Sequence, residues 1–147
     1  MLKKIIEKSI ARSPWVYHMN TGSCNGCDIE LLALFTPRYD VERFGVKLTG
    51  TPRQADIILV TGPMTLQARD RALRVYSQVP RPNVVVAVGA CPQSCNVFKN
   101  SYAVVGPVSR HIPVDVNISG CPPRPEAIID GIIRALEVLK KRRVITP

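Results

Sequence analysis

Asn83-Val84-Val85-Val86-Ala87-Val88, running straight into Gly89-Ala90-Cys91, decides how the rest of this 147-residue chain is read. Residues 84–88 carry no polar side chain, so they do not suit a strand with one face in water. A short, continuous, Val-rich run bounded by glycine reads as a strand buried on both faces, as in a parallel sheet covered by helices. Two more runs share this character. Ala55 to Val60 ends in Thr61-Gly62-Pro63, and Val114 to Ile118 ends in Ser119-Gly120-Cys121. A weaker strand, Trp15 to Met19, leads into the turn-rich Asn20-Thr21-Gly22-Ser23.

Helical patterns fill the intervals. IELLALF follows Asp28, which reads as an N-cap, and closes near Pro37; Leu66 to Val79 and Pro125 to Lys140 are amphipathic. Strands alternating with helices predict an α/β fold, a small doubly wound parallel sheet with right-handed crossovers. Residues 38–54 are too mixed to assign and have room for one more short strand. With no repeat, low-complexity tract or linker, residues 1–147 read as one domain. It opens with a short basic helix over about residues 1–12, where Ile5, Ile6 and Ile10 share a side and Pro14 marks the end.

In an open parallel sheet the loops leaving the carboxyl ends of the strands lie along one edge, where ligands bind. That rule gathers the cysteines. Cys24 and Cys27 follow the first strand, Cys91 follows Val88 and Cys121 follows Ile118, so four thiols are expected at one edge. Such a set suits a 4Fe-4S cluster or a tetrahedral zinc ion. One close pair plus two cysteines on separate strand ends favours the wider cube, while zinc, unliganded thiols and a thioredoxin-like CxxC dithiol stay open. Gly22, Gly26, Gly89 and Gly120 adjoin the cysteines, as turn residues and as places where backbone approaches a bound group. Pro122 and Pro123 stiffen the last loop. Cys95 reads as a packed thiol, Asp28 and Glu30 as capping and solvated residues, and His18 and His111 as structural.

Composition bounds the alternatives. The net charge is +9, with Lys3, Lys4 and Lys8 near one end and Lys140, Lys141, Arg142 and Arg143 near the other, read as solvated helix faces. Aromatics are only 5% and do not interleave with the basic residues, which argues against nucleic-acid binding. GxxxxGK[ST], GxGxxG after a strand and HExxH are all missing. No apolar run approaches the ~20 residues of a membrane span, and the first residues lack a signal-peptide pattern, so a cytoplasmic location is expected.

The runs SCNGCDIELLALFTPRYDVERFG, PRQADIILVTGP, VGAC and VDVNISGCPPRPEAI resemble the small electron-transfer subunit of membrane-bound nickel-iron hydrogenases. That family includes energy-converting hydrogenases and sulfur-reducing membrane complexes, and is similar to the complex I cluster subunit nearest the quinone site. The resemblance implies a flavodoxin-like fold without flavin and one 4Fe-4S cluster on Cys24, Cys27, Cys91 and Cys121. It implies an oxidoreductase subunit whose catalytic site lies on a large nickel-iron hydrogenase-like partner. A ferredoxin-like subunit and membrane ion-translocating subunits complete the assembly, with this chain peripheral on the cytoplasmic side of the membrane. Electron relay between the ferredoxin-like and large subunits is the implied function; the same relay in a sulfur- or quinone-reducing complex is the alternative, and a zinc-stabilised binding module a further one. The CxxC spacing matches the hydrogenase-like branch, whereas PQSCNVF after VGAC departs from the small residues or glycine of many relatives.

Overall fold

The computed structural model describes residues 13–145; the basic helix expected over about 1–12 lies outside them. Five parallel strands form the sheet: β1 (Trp15–Asn20), β2 (Lys47–Thr49), β3 (Ile57–Thr61), β5 (Val84–Val88) and β7 (Val116–Ile118). Their spatial order is β2-β1-β3-β5-β7, a flavodoxin-like doubly wound arrangement. A two-stranded antiparallel ribbon joins β4 (Met64–Thr65) to β6 (Val104–Gly106). The helices are α1 (Gly26–Ala33), α2 (Leu66–Gln78), α3 (Ala90–Ser94) and α4 (Pro125–Ile145).

The central strands are buried along their whole length, and the two-residue pleat divides their side chains between two cores. Ile57, Leu59, Val84, Val86 and Val88 face one layer, where Leu31 of α1 and Ile128, Ile132, Ala135 and Leu139 of α4 pack. Ile58, Val60 and Val85 face the other, with Ala72 of α2, Val108 and Ile112. The α4 positions recur at helical spacing, and Pro125 stands at its first residue, where a missing N–H costs nothing. Gly131 lets that helix lie close on β7: a Cβ there would stand 2.2 Å from Ile118 Cδ1.

Several expectations shift. The first helix starts at Gly26, with left-handed Asn25 at its cap position, so Asp28 sits inside the first turn and is buried rather than capping. The unassigned stretch contains β2, a three-residue edge strand paired with β1 through Trp15 and Lys47. The ribbon was not foreseen, being too short to set up an alternation. Cys91 lies in the first turn of short α3, not in a loop. Lys140 and Lys141 are exposed as expected, but Arg142 and Arg143 turn back onto the sheet. Arg142 donates to Asn83 O at 2.5 Å and pairs with Asp115, while Arg143 pairs with Asp56. Both aspartates also accept strand N–H groups, Asp56 from Trp15 and Asp115 from Val85.

Candidate metal centre

The CxxC loop is held from beneath by a small polar network. Asn20, the last residue of β1, accepts from Gly22 N and Ser23 N, both at 2.9 Å, through its side-chain oxygen. Its amide nitrogen donates to Asp28 at 3.0 Å. Asp28 in turn accepts from the Thr61 hydroxyl at 2.6 Å and lies 2.7 Å from His18 Nε2. A carboxylate only accepts, so the imidazole presents its Nε2–H there. Thr21, fully buried, ties the same loop to the end of β3 through its backbone N–H to Thr61 O. Thus the loop bearing Cys24 and the helix bearing Cys27 are fastened to β3 by residues that fall just before and just after the cysteines.

The other two cysteines are set by the ends of β5 and β7. Gly89 N donates to Ile118 O and Ala90 N to Gly120 O, both at 2.8 Å, which continues the pairing of these strands into their loops. Gln93 adds a clamp, its side-chain nitrogen donating to Gly89 O and Ile118 O. Gly89 is required here: φ 96 and ψ 173 fall in a region open essentially to glycine alone. A Cβ on it would stand 2.6 Å from Cys27 Sγ.

Cys24, Cys27, Cys91 and Cys121 line one cavity of about 110 Å³, together with Gly62 and Gly120. Cys27 and Cys91 form its inner wall; Cys24 and Cys121 are exposed at the rim. Among the described residues no group of three or more His, Cys, Asp or Glu side chains is arranged to hold a metal ion. Burial, then repulsion from Cys91, Cys24, Asp28 and Cys121, pushes the Cys27 thiol up to about 11. Burial, followed by Cys121, Cys24 and Cys95, raises Cys91 in the same direction. Left free, the inner cysteines stay protonated; a cationic centre would hold all four as thiolates, and the backbone leaves room for one where Gly89 has no side chain. The donor set and the space both fit an iron-sulfur cluster.

Cys95 is buried next to this cavity without lining it, and burial raises its thiol. His18 is structural in the sense that it supports Asp28, whereas His111 Nε2 is buried without a hydrogen-bond partner. Glu30 is half-buried. Sequence reasoning passed over Asn20, Thr61 and Gln93. Asn20 had a signal, standing at a strand end just before a glycine turn; Thr61 and Gln93 act through partners distant in sequence and had none.

A five-stranded flavodoxin-like sheet with four cysteines along its carboxyl edge defines a class, and the family comparison agrees with it. The family of the NADH ubiquinone oxidoreductase 20 kDa subunit matches residues 24–135, and the chain belongs to this family of oxidoreductase subunits. Over 134 residues it is 60% identical to a probable membrane-bound hydrogenase subunit of Pyrococcus furiosus, covering 91% of this chain and 80% of that protein. It is 43% identical to formate hydrogenlyase subunit 7 of Escherichia coli, covering 96% of this chain but 55% of that one. Among solved structures it is similar to a chain of the membrane-bound sulfane sulfur reductase, an archaeal respiratory membrane complex. That match has a TM-score of 0.80 and 37% identity, over 93% of this chain and 76% of the other. The family is the one that the SCNGC, VGAC and SGCPP segments suggested. No helix among the described residues is long and apolar enough to cross a membrane.

Proposed function

We propose that the chain holds one 4Fe-4S cluster on Cys24, Cys27, Cys91 and Cys121 and relays single electrons within a membrane-associated oxidoreductase complex. The observation that carries this is the meeting of thiols from three strand ends around one cavity. Bound there, the cluster supplies a one-electron store whose potential depends on burial, charge and hydrogen bonds to sulfur. The chain's own residues do the rest. Asn20, Asp28, His18 and Thr61 fix the CxxC segment, Gln93 locks the β5 and β7 ends together, and Gly89 keeps the inner wall open.

Electrons would pass from a ferredoxin-like subunit to a large catalytic subunit of nickel-iron hydrogenase type, with ion-translocating subunits in the membrane and this chain peripheral on its cytoplasmic side. The 60% identity to a hydrogenase subunit supports that assignment. The likeness to a sulfane sulfur reductase chain supports a second reading, the same relay feeding sulfur or quinone reduction. Exposed apolar side chains follow the cysteines along the chain: Ile29 and Leu32 on α1, Val97 and Tyr102 beyond α3. Together with the rim cysteines they form the face we assign to the large subunit.

The test is anaerobic purification of the complex, iron, zinc and sulfide determination on this subunit, and an electron paramagnetic resonance spectrum after reduction. Four irons with four sulfides are expected, with the signal lost in Cys91→Ala. Zinc without sulfide would leave a structural module and end the relay reading. Two CxxC pairs in the large partner would mark the hydrogenase reading, and their loss the sulfur or quinone one.

A further inference from the structure

The segment leaving α3 turns in a way its residues resist. Cys95 at φ 64 and Asn96 at φ 39 are consecutive non-glycine residues in left-handed backbone, a conformation adopted at a cost and tolerated better by asparagine than by most. Backbone bonds hold the turn, with Cys95 N donating to Cys91 O and Phe98 N to Cys95 O, both at 2.8 Å. Its outcome is a contact between two cysteine-bearing segments. Asn96 follows the short helix that carries Cys91, and its side-chain amide nitrogen lies 3.5 Å from Cys121 Sγ, on the loop after β7. Among the described residues no other side chain donates a hydrogen bond to one of the four cysteine sulfurs.

We infer that Asn96 is a positioning residue that raises the reduction potential of the site by donating its amide N–H to the Cys121 sulfur. The inference rests on the cluster reading above. Reduction adds one electron to the cluster and its thiolates, supplied by the ferredoxin-like subunit in the complex or by dithionite in a titration. No bond is made or broken and no proton moves. The reduced form carries one more negative charge, part of it on sulfur, and an N–H donor stabilises that form more than the oxidised one. The equilibrium therefore shifts toward reduction. The left-handed turn is what aims the amide, so the backbone cost and the contact belong to one device.

The test is a redox titration of the assembled complex with dithionite, followed by electron paramagnetic resonance, after iron and sulfide have been measured on each preparation. Asn96→Gly removes the donor and suits φ 39 at least as well as asparagine. It should keep its iron and shift the reduction equilibrium against reduction by about three- to tenfold, a fall of ~30–60 mV at 59 mV per decade. Asn96→Asp keeps the shape, substitutes an acceptor and adds negative charge, so its midpoint should lie below that of Asn96→Gly. Asn100→Gly, another left-handed position in this segment at φ 67, controls for loop relaxation and should match wild type. A fully loaded Asn96→Gly protein with the wild-type midpoint would overturn the inference and leave Asn96 a turn residue. Should that variant lose iron, Asn96→Asp decides by the same criterion. A wild-type protein without iron and sulfide would overturn the cluster reading itself, and the metal analysis reports that before any potential is measured.

Discussion

Thr61 ends β3 fully buried, with its hydroxyl between Asp28 and His18. Thr61→Val keeps the shape and removes the donor, leaving a buried carboxylate one partner short. The expected cost is about 1–3 kcal/mol, read by chemical denaturation. Gly89 carries a different constraint. Gly89→Ala puts a methyl 2.6 Å from Cys27 Sγ and forces a conformation closed to alanine. Iron and sulfide content should fall well below wild type even where circular dichroism shows the fold retained. The two substitutions separate support beneath the site from space within it.

At the scale of the element, α4 shows how a helix is fixed along its length and at its last turns. Its middle is held by Ile128, Ile132, Ala135 and Leu139 in the core, and its last turns by Arg142 and Arg143 on aspartates at the opposite edge of the sheet from the cysteines. The Arg143–Asp56 pair is only 14% and 17% exposed. Removing one partner leaves the other charge buried, so Arg143→Ala should destabilise by about 3 kcal/mol and lower the thermal midpoint. Arg134 and Asp130 form an i,i+4 pair on the outer face of the same helix at 65% and 58% exposure. Arg134→Ala should change stability by no more than ~0.5 kcal/mol in the same experiment. The contrast tests whether the clamp, rather than charge pairing in general, seats the helix.

On the whole molecule, some of the exposed apolar side chains belong to the segments that follow the cysteines. Ile29, two residues past Cys27 in α1, is 66% exposed, and Tyr102, beyond α3, 96%. A lysine at Ile29 replaces apolar contact area with charge at an exposed helix position. Ile29→Lys should leave the stability of the free chain within about 0.5 kcal/mol of wild type. It should also reduce the amount of large subunit recovered with this chain on affinity purification; unchanged recovery would place the docking face elsewhere.

Much of the architecture was legible in one dimension, because burial on both faces leaves a mark there. The runs around 57–60 and 84–88 are apolar without alternation, and the glycine-cysteine steps at 89–91 and 120–121 stand where such strands end. The parallel-sheet rule then gathers all four cysteines at one edge without coordinates. Elements too short to show a period stayed hidden: β2, the β4–β6 ribbon and α3, each held by partners rather than by its own pattern. The same limit applies to the site. Residue types at strand ends named the four cysteines, but the left-handed Asn25 that starts α1 three residues early is a backbone fact. So is the burial of Asp28 against Thr61 and His18. The sequence by itself determined which side chains must be buried and which loops share an edge, since hydrophobicity and strand direction are properties of the chain. Only tertiary structure decided that Gln93 clamps two loops, that Arg142 and Arg143 leave solvent for the sheet, and that Asn96 reaches Cys121. Those contacts join residues 25 to 87 positions apart, and only the packed core sets the distance between them.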